Sequence, residues 1–392
     1  MEKKKSLKGE GLVIALDAKR AVLNNTGLGN YSRYAVNIMS AAFPSASFRL
    51  YTPRVAHNDR LEPLLLRDNV SLVAPELRWS NSLSRAFWRT VDLPLDLKAD
   101  GVTLYHGLSN EIPLTIKGVC PTVVTIHDLI YRRIPENYRP LDRRLYDLKY
   151  RRSARIATRV IAISECTKRD LIKDYSIAPE KIDVIYQGID PVFSLPIDTA
   201  RRMEIRAKYS LPERYIISVG TVEDRKNQLM AVKTLERMPA DVVLIIVGRM
   251  KGSYAETVKR YIASHGLSER VRQLVDVPFP DIPALYADAL FSTYTSRYEG
   301  FGLPVVESLA SGTPVIAATG SCLEEAGGEG ALYVHPDDID AFAENALRLL
   351  DDSYLRNKLV DAGRRHIRKF SAENFAKSTM ACYNKAIMSF LL

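Results

Sequence analysis

Short apolar runs alternate with amphipathic segments along almost the whole chain. Runs of apolar residues predict buried strands, whereas apolar residues that recur every three or four positions predict helices. The strand-like runs are residues 11–16, 48–51, 70–73, 103–106, 122–126, 159–163, 183–186, 215–219, 242–247, 271–275, 289–294, 315–317 and 331–334. The helical patterns lie near residues 29–42, 81–92, 141–157, 165–174, 226–237, 253–265, 281–287, 338–350, 353–368 and 371–388. Because short strands separated by helices are typical of parallel sheets, the alternation predicts an α/β fold with mostly parallel sheets.

Two alternating series follow one another, and a polar segment separates them. The first series predicts a domain over residues 1–191, and the second predicts a domain over residues 214–370. Residues 192–213 are polar and contain two prolines, so they predict a linker. A last helical pattern lies within residues 371–392. At 392 residues the chain is long enough for two domains that each have a core.

Composition and charge narrow the class of protein. With 46% hydrophobic and 26% charged residues, the chain resembles ordinary soluble globular proteins. The four cysteines are scattered without metal-type or redox spacing, which favours reduced thiols in the cytoplasm. No apolar run has the length of a signal peptide or a membrane span, so we expect neither. The formal net charge of +9 is compatible with nucleic acid, an anionic membrane face or a phosphorylated ligand as partner.

Much of the positive charge lies in one segment, residues 132–169. It contains twelve Arg or Lys residues against four acidic ones, and Tyr146 and Tyr150 lie among them. The segment is either a solvated helix face or a surface that contacts anionic lipid headgroups on the inner face of the membrane. Nucleic acid is disfavoured as a partner because no recognition motif accompanies the charge.

The most specific stretch is Glu-Gly-Phe-Gly-Leu-Pro at residues 299–304, between two strand-like runs. Proline suits the first turn of a helix, and Gly312 suits the left-handed position after its end. The amides of Phe301, Gly302 and Leu303 would then point out of the helix start as an anion site. Glu299 and Glu307 frame this site, and two carboxylates beside an anion site make sense if they face sugar hydroxyls.

With these residues the chain resembles the group 1 (family 4) glycosyltransferases, which are retaining, nucleotide-sugar-dependent enzymes of the GT-B class with a Glu-x7-Glu element of this form. The resemblance implies two Rossmann-like domains that face each other across a cleft. It places the nucleotide sugar mainly on the second domain, and it returns the last helix, within residues 371–392, to the first. It also implies that Glu299 contacts the sugar and that Glu307 binds the ribose hydroxyls.

Gly220 begins a second motif, which ends in Arg225-Lys226-Asn227 after a predicted strand. Cations at a helix start oppose the helix dipole, so they favour either an exposed loop or a bound phosphate. In the family, the equivalent arginine and lysine lie on the diphosphate. Fixed cations would stabilise the charge that develops on a leaving diphosphate.

Two further motifs follow strands of the first domain. Gly27 and Gly29 open the first long helix, where small residues let a ligand approach the backbone. The third glycine of a dinucleotide fingerprint is missing, which argues against an NAD-dependent oxidoreductase. His127 lies at the carboxyl end of a buried strand, and the family places such a histidine against the transferred sugar. His106 ends another strand and is a weaker candidate.

The predicted reaction moves a hexose from a nucleoside diphosphate sugar to an acceptor hydroxyl. By association with bacterial mannosyltransferases of polysaccharide assembly, we expect GDP-mannose as donor and a lipid-linked or saccharide acceptor. No Asp-x-Asp motif is present, so we expect neither a metal nor another cofactor. The alternatives are a UDP-sugar-dependent transferase, a nucleotide-sugar hydrolase or epimerase, and a non-catalytic nucleotide-sugar-binding protein.

Overall fold

The computed structural model describes residues 11–75 and 81–392. The chain forms two compact units. The first unit contains the described residues up to Leu129, together with Arg139–Gly188 and Ala372–Leu392. The second unit contains Ile130–Tyr138 and Ile189–Ser371.

The first unit is built on a parallel sheet of seven strands within the described residues, in the order β3-β2-β1-β4-β5-β6-β7. Its strands are β1 (Val13–Asp17), β2 (Ser47–Tyr51), β3 (Val70–Val73), β4 (Leu104–Gly107), β5 (Thr122–Ile126), β6 (Arg159–Ala162) and β7 (Ile182–Val184). The helices in this part of the sequence are α1 (Lys19–Leu23), α2 (Gly27–Ala42), α3 (Glu62–Leu65), α4 (Ser82–Phe87), α5 (Leu93–Ala99), α6 (Ile130–Arg133), α7 (Pro140–Ile156) and α8 (Glu165–Tyr175). Of these, α6 belongs to the second unit and the others to the first.

The second unit has a parallel sheet of six strands within the described residues, in the order β10-β9-β8-β11-β12-β13. The strands are β8 (Arg214–Val219), β9 (Val242–Val247), β10 (Val271–Leu274), β11 (Ser292–Tyr294), β12 (Val315–Ala318) and β13 (Ala331–Val334). The helices are α9 (Thr199–Lys208), α10 (Gln228–Thr234), α11 (Ser253–Ser264), α12 (Ile282–Ala287), α13 (Leu303–Ala310), α14 (Leu323–Gly327), α15 (Ile339–Asp351) and α16 (Ser353–His366).

The hydrophobic pattern explains the layering of both sheets. Every residue of β5 and of β9 is buried, because crossover helices cover both faces of a parallel sheet. Helix α15 is amphipathic: Phe342, Ala346 and Leu349 are buried while Glu344 is exposed. The predicted α/β fold with mostly parallel sheets is confirmed.

The last helix, α17 (Ala372–Leu391), packs in the core of the first unit. Phe375, Met380 and Tyr383 are buried there among residues of the first sheet. The hydroxyl of Tyr383 lies 2.7 Å from Nδ1 of His106 at the end of β4. The helix therefore stabilises the unit that contains the beginning of the chain.

Residues 192–213 differ from the linker that their polar composition predicts. They contain α9, whose first turn is capped by the side chain of Asp198. Ile205 of α9 is fully buried beside Phe193 in a hydrophobic cluster of the second unit. Because α9 buries only Ile205, its composition does not distinguish it from a linker.

Candidate functional site

The sheet of the second unit reverses its strand order between β8 and β11, with strands added outwards on both sides. Ligands of open α/β sheets bind at such a switch point, outside the carboxyl ends of the strands. Gly220 directly follows β8, and the segment from Thr295 to Gly302 directly follows β11. The two most specific motifs of the sequence therefore meet at the position where this fold places a ligand.

Arg225 lies in the turn Asp224–Lys226 that precedes α10. Its guanidinium is 15% exposed and pairs with Glu299, at 2.5 Å from Nη1 to Oε1. Nη1 also donates to the carbonyl of Tyr298 at 2.8 Å, and Nη2 donates to Glu223 at 2.7 Å. Burial lowers the pKa of Arg225, but the neighbouring acidic groups outweigh burial and raise it, so the group stays charged.

Three donors converge on a single oxygen of Glu299. Besides Arg225, the hydroxyl of Tyr294 donates to Oε1 at 2.7 Å, and the hydroxyl of Ser296 donates at 3.0 Å. Burial raises the pKa of Glu299, but the charges of Arg225 and Lys226 and these hydrogen bonds outweigh it, so the pKa lies below its ordinary value. Glu299 is therefore a fixed carboxylate near neutral pH, with Oε1 engaged.

Lys226 lies over the backbone of Gly220. A Cβ atom at Gly220 would lie 2.7 Å from Nζ of Lys226, and Gly220 has a φ of +136°, which L side chains rarely adopt. The hydroxyl of Thr295 donates to the carbonyls of Lys226 and Asn227 at 3.1 and 2.9 Å, which ties this turn to the end of β11. The ammonium group of Lys226 therefore lies at the switch point, in the space that the missing side chain of Gly220 leaves.

Glu307 lies one turn inside α13 and also interacts electrostatically with Lys226. Burial, and then the charge of Asp190, raise the pKa of Glu307 to about 7, although Lys226 opposes the shift. Glu307 thus differs from Glu299 in its charge state near neutral pH. The difference arises because Glu299 has an arginine partner and Glu307 has an acidic neighbour.

The start of α13 has the predicted turn geometry. Gly302 is its N-cap with a φ of +100°, Pro304 lies in the first turn, and Gly312 has a φ of +81° after the helix end. A Cβ atom at Gly302 would lie 2.6 Å from Leu323, so only glycine fits there. Phe301 is buried, with its ring 5.1 Å from that of Phe370. The side chain of Phe301 is therefore a packing group, and the backbone around Gly302 and Leu303 is the part that a ligand can use.

Gly27 and Gly29 of the first unit have different surroundings. Gly27 begins α2, is exposed, and has open space where a Cβ atom would lie. Gly29 is buried, and a Cβ atom there would lie 1.9 Å from the carbonyl oxygen of Asn24. A side chain would fit at Gly27, whereas Gly29 is required for close packing of the backbone.

His127 directly follows β5 and is buried as a neutral imidazole. Its Nε2–H donates to the carbonyl of Leu108 at 2.9 Å, and its amide donates to Asn110 at 2.8 Å. The ring of Tyr31 meets it edge-on, with centroids 4.6 Å apart. Burial lowers the pKa of His127 to about 4. This arrangement fixes the tautomer and leaves Nδ1 as an acceptor.

His106, the weaker candidate, is part of the core. Its Nε2 lies 2.8 Å from Thr125 Oγ1 and its Nδ1 contacts Tyr383. Burial lowers its pKa to about 3. Both ring nitrogens are engaged inside the first unit, so His106 is structural.

Sequence reasoning missed three residues that shape this site. Tyr294 and Ser296 hold Glu299, and their alternation at the end of a strand just before the motif was an available signal. Asp190, which raises the pKa of Glu307, lies more than a hundred residues before it and gave no signal.

One further group of side chains has metal-ligating atoms close together. Within the described ranges, His57, Asp59 and Glu62 have such atoms within 4.8 Å of one another, and all three are exposed. They lie in the first unit, on the loop before α3 and at its start.

The basic segment 132–169 is divided between the two units, because Ile130–Tyr138 belongs to the second and Arg139–Gly188 to the first. Its central part is α7. Among the described helices, none has the length and hydropathy that crossing a bilayer requires.

Two glycosyltransferase family models match the chain. The model of the group 1 glycosyl transferases matches residues 201–366, and the model of glycosyltransferase family 4 matches residues 40–193. The O-antigen chain mannosyltransferase B of Escherichia coli is 28% identical over 385 residues, 91% of this chain and 96% of that protein. The MMP alpha-(1->4)-mannosyltransferase of Mycolicibacterium hassiacum is 30% identical over 280 residues, 68% of this chain and 66% of that protein.

Anabaena HepE, solved in complex with UDP and glucose, superposes with a TM-score of 0.72 at 19% identity, covering 94% of this chain and 97% of that chain. At this identity the similarity concerns the fold alone. Together with the two parallel sheets, it confirms the GT-B fold class expected from the sequence.

Proposed function

Because the chain belongs to the group 1 (family 4) glycosyltransferases, we propose that it transfers a hexose from a nucleoside diphosphate sugar to an acceptor hydroxyl with retention of the anomeric configuration. The observation that carries this proposal is the cluster of Arg225, Lys226, Glu299 and Glu307 at the switch point of the second sheet. The ammonium group of Lys226 beside Gly220, together with the amides at the start of α13, suits the binding of a diphosphate. Carboxylates at the same place suit the hydroxyls of sugar and ribose.

The roles of these residues follow from their contacts. Lys226 binds the diphosphate, together with the amides around Gly302 and Leu303 at the start of α13. Glu299, whose Oε1 is already engaged by three donors, offers Oε2 to a sugar hydroxyl. Arg225 acts mainly through Glu299, because its guanidinium is occupied by Glu299, Glu223 and the carbonyl of Tyr298. From the sequence we expected both Arg225 and Lys226 to bind the diphosphate. We now propose that Lys226 is the main diphosphate contact and that Arg225 mainly positions Glu299.

Glu307 binds the ribose hydroxyls in this proposal, and Gly220 keeps space for Lys226. In the first unit, His127 offers Nδ1 to a hydroxyl of the transferred sugar, and the open backbone at Gly27 accommodates donor or acceptor. Gly29 supports that turn.

In the proposed reaction the bond between the anomeric carbon and the diphosphate oxygen breaks. The acceptor oxygen bonds to the same face of the sugar, and the leaving diphosphate takes the acceptor proton. Lys226 stabilises the charge that grows on the diphosphate. Since this cation already serves the leaving group, we propose that the reaction needs no metal ion or other cofactor.

For the donor we propose GDP-mannose, with a role in bacterial polysaccharide or glycolipid assembly. The support is that the relatives are named as mannosyltransferases, one of them of an O-antigen chain. The second candidate is a UDP-sugar, since HepE is a structural neighbour that binds UDP and glucose. We propose a saccharide or lipid-linked acceptor and a cytoplasmic enzyme, with the basic residues of α7 towards an anionic membrane surface.

The test is the thermal shift of the full chain with GDP, UDP and ADP in turn. A nucleotide that binds only the native state at a hundred times its Kd adds about 2.7 kcal/mol to the free energy of unfolding. We expect GDP to raise Tm in the wild type and to have little effect in Lys226→Ala. A shift by UDP alone would favour the second candidate, and no shift by any of the three would contradict a nucleotide-sugar enzyme.

Product analysis separates transfer from the remaining alternatives. A transferase releases little nucleotide without an acceptor, whereas a hydrolase releases it at full rate. An epimerase changes the sugar without releasing nucleotide, and a binding protein does neither. Acceptor-independent turnover as fast as transfer would contradict the proposal.

A further inference from the structure

The first unit contains a cavity of about 380 Å³ that the proposed reaction does not use. Its lining comes from the turn Trp88–Asp92, the loop that follows β4, and α7. This volume lies within the range of sites that hold small molecules.

The cavity begins at the switch point of the first sheet. The strand order of that sheet reverses between β1 and β4, and Asp17, the last residue of β1, forms one end of the cavity. Arg89 pairs there with Asp17 at 2.5 Å and with Glu111 at 3.2 Å. Lys149 also lies 3.6 Å from Glu111. Two cations therefore face two carboxylates, so this end does not require a charged ligand.

The opposite part of the cavity is apolar and opens towards solvent. Its wall includes Leu114, Leu145 and Leu148, which are 39%, 46% and 67% exposed. Leu141, which is 77% exposed, continues the row on α7 at positions i, i+4 and i+7. Leucines in this number on one helix face form a continuous apolar strip that water solvates poorly.

Positive charge surrounds the strip. Helix α7 contains six basic residues and two acidic ones. Lys149 and Arg152 belong both to this helix and to the cavity lining. Arg152 also donates to the carbonyl of Leu114 at 3.0 Å, which places its charge beside the apolar wall. An occupant with an anionic group next to a hydrocarbon chain matches both features.

We propose that this cavity holds one hydrocarbon chain of an anionic phospholipid of the bilayer, with the headgroup on Lys149, Arg152 and the other basic residues of α7. The apolar wall of the cavity leaves water when the chain enters it, and the basic residues attract anionic headgroups, so the two contributions add. The inference deepens the proposed function and rests on it, since it states how the enzyme would stay beside a membrane-borne acceptor.

Two variants and one control separate chain binding from surface attraction. Leu114→Trp fills the cavity and leaves the charge of α7 unchanged. Leu141→Trp changes the leucine row on the same helix without touching the cavity lining. Leu195→Trp, at a leucine of the second unit that is 60% exposed, is the matched control. All three positions are exposed enough to accept tryptophan, and circular dichroism checks that the variants fold.

The experiment measures co-sedimentation of the full chain with phosphatidylglycerol vesicles and with phosphatidylcholine vesicles. It also measures the Tm shift by lysophosphatidylglycerol below its micelle concentration. We expect binding to phosphatidylglycerol only, and a lysolipid shift that is lost in Leu114→Trp and kept in Leu141→Trp and Leu195→Trp. Vesicle affinity should fall about tenfold in Leu114→Trp, because the chain then no longer covers the apolar wall of the cavity.

Unchanged vesicle binding and lysolipid shift in Leu114→Trp would overturn the proposal, since attraction to the headgroups alone would then explain membrane binding. Equal binding to both vesicle types would overturn the role of the basic residues. The GDP shift is measured in the same samples. If wild-type protein binds lysolipid but no nucleotide, the proposed reaction is contradicted and the cavity assignment stands. If it binds GDP but no lysolipid, the cavity assignment is contradicted and the proposed reaction stands.

Discussion

The guanidinium of Arg225 and the carboxylate of Glu299 form an ion pair, with 2.5 Å between Nη1 and Oε1. The exposed fraction of both side chains is low, at 15% and 12%. Each residue comes from the loop after a different strand, and the two strands flank the reversal of the sheet order. The pair therefore connects the two loops that carry the proposed diphosphate and sugar contacts.

Replacing Glu299 by glutamine tests the contribution of this pair to stability. We expect Glu299→Gln to lower the free energy of unfolding at pH 7 by roughly 2 kcal/mol, because a charged hydrogen-bonded partner of Arg225 is lost. The folded-state pKa of Glu299 lies below its ordinary value of 4.5. The stabilisation is thus fully present above that value and is lost as pH falls through the folded-state pKa.

Denaturant unfolding of both proteins between pH 7 and pH 3 measures this difference. The wild type and Glu299→Gln should converge in stability as pH falls below about 4.5. Glu344→Gln, at an exposed glutamate of the same unit, serves as control and should behave like the wild type. A stability difference that stays constant with pH would contradict the lowered pKa.

Replacing Lys226 by alanine tests whether its ammonium group, which lies beside Gly220, binds the diphosphate. We expect Lys226→Ala to lower kcat by about a hundredfold or more, since loss of one preorganised group that stabilises transition-state charge has this magnitude. Thermal unfolding should be close to that of the wild type, because Lys226 is only partly buried. Lys251→Ala, at an exposed lysine of the same unit, is the control. Turnover near the wild-type value in Lys226→Ala would exclude the diphosphate role.

The charge state of Glu307 predicts a pH dependence of donor binding. Its pKa of about 7 means that the carboxylate forms only as pH rises through neutrality. If the carboxylate accepts hydrogen bonds from the ribose, the KM for the donor should fall as pH rises from 6 to about 8. Kinetics across this range for the wild type and Glu307→Gln measure the effect, and a wild-type KM that does not vary would contradict it.

The raised pKa of Glu307 lowers the stability of the fold as pH rises, whereas it is expected to improve donor binding over the same change in pH. Since the folded state holds the proton more tightly than the unfolded state, the contribution of Glu307 to stability falls between about pH 4.5 and pH 7 and is level above. Glu307→Gln should therefore gain stability relative to the wild type as pH rises to 7. Denaturant titrations at both ends of this range check the sign.

Metal removal tests the metal-free reaction. We expect full activity in excess EDTA, because the ammonium group of Lys226 rather than a metal ion stabilises the leaving diphosphate in the proposed mechanism. A loss of activity that magnesium restores would contradict this expectation. Asp59→Asn then shows whether the exposed group of His57, Asp59 and Glu62 is responsible, since magnesium binds carboxylate oxygens and the variant would respond more weakly if it were.

The sequence by itself determined the α/β class and most of the strands. Alternating apolar runs predict those strands, and the resemblance to a family assigned the motifs after β8 and β11 to one ligand. Pro304 and Gly312 predict the ends of α13, because each depends on a local backbone conformation. Patterns of this kind are short-range, so a single stretch of residues contains them.

The tertiary structure decided what depends on contacts between distant segments. It placed Arg225 on Glu299 rather than open to solvent, and it gave Glu307 a pKa about 7 through burial and Asp190. It also placed residues 192–213 in the second unit, with a helix, α9, that buries Ile205. Burial and the nearest charge set the state of an ionisable group, and neither quantity exists until the chain has folded.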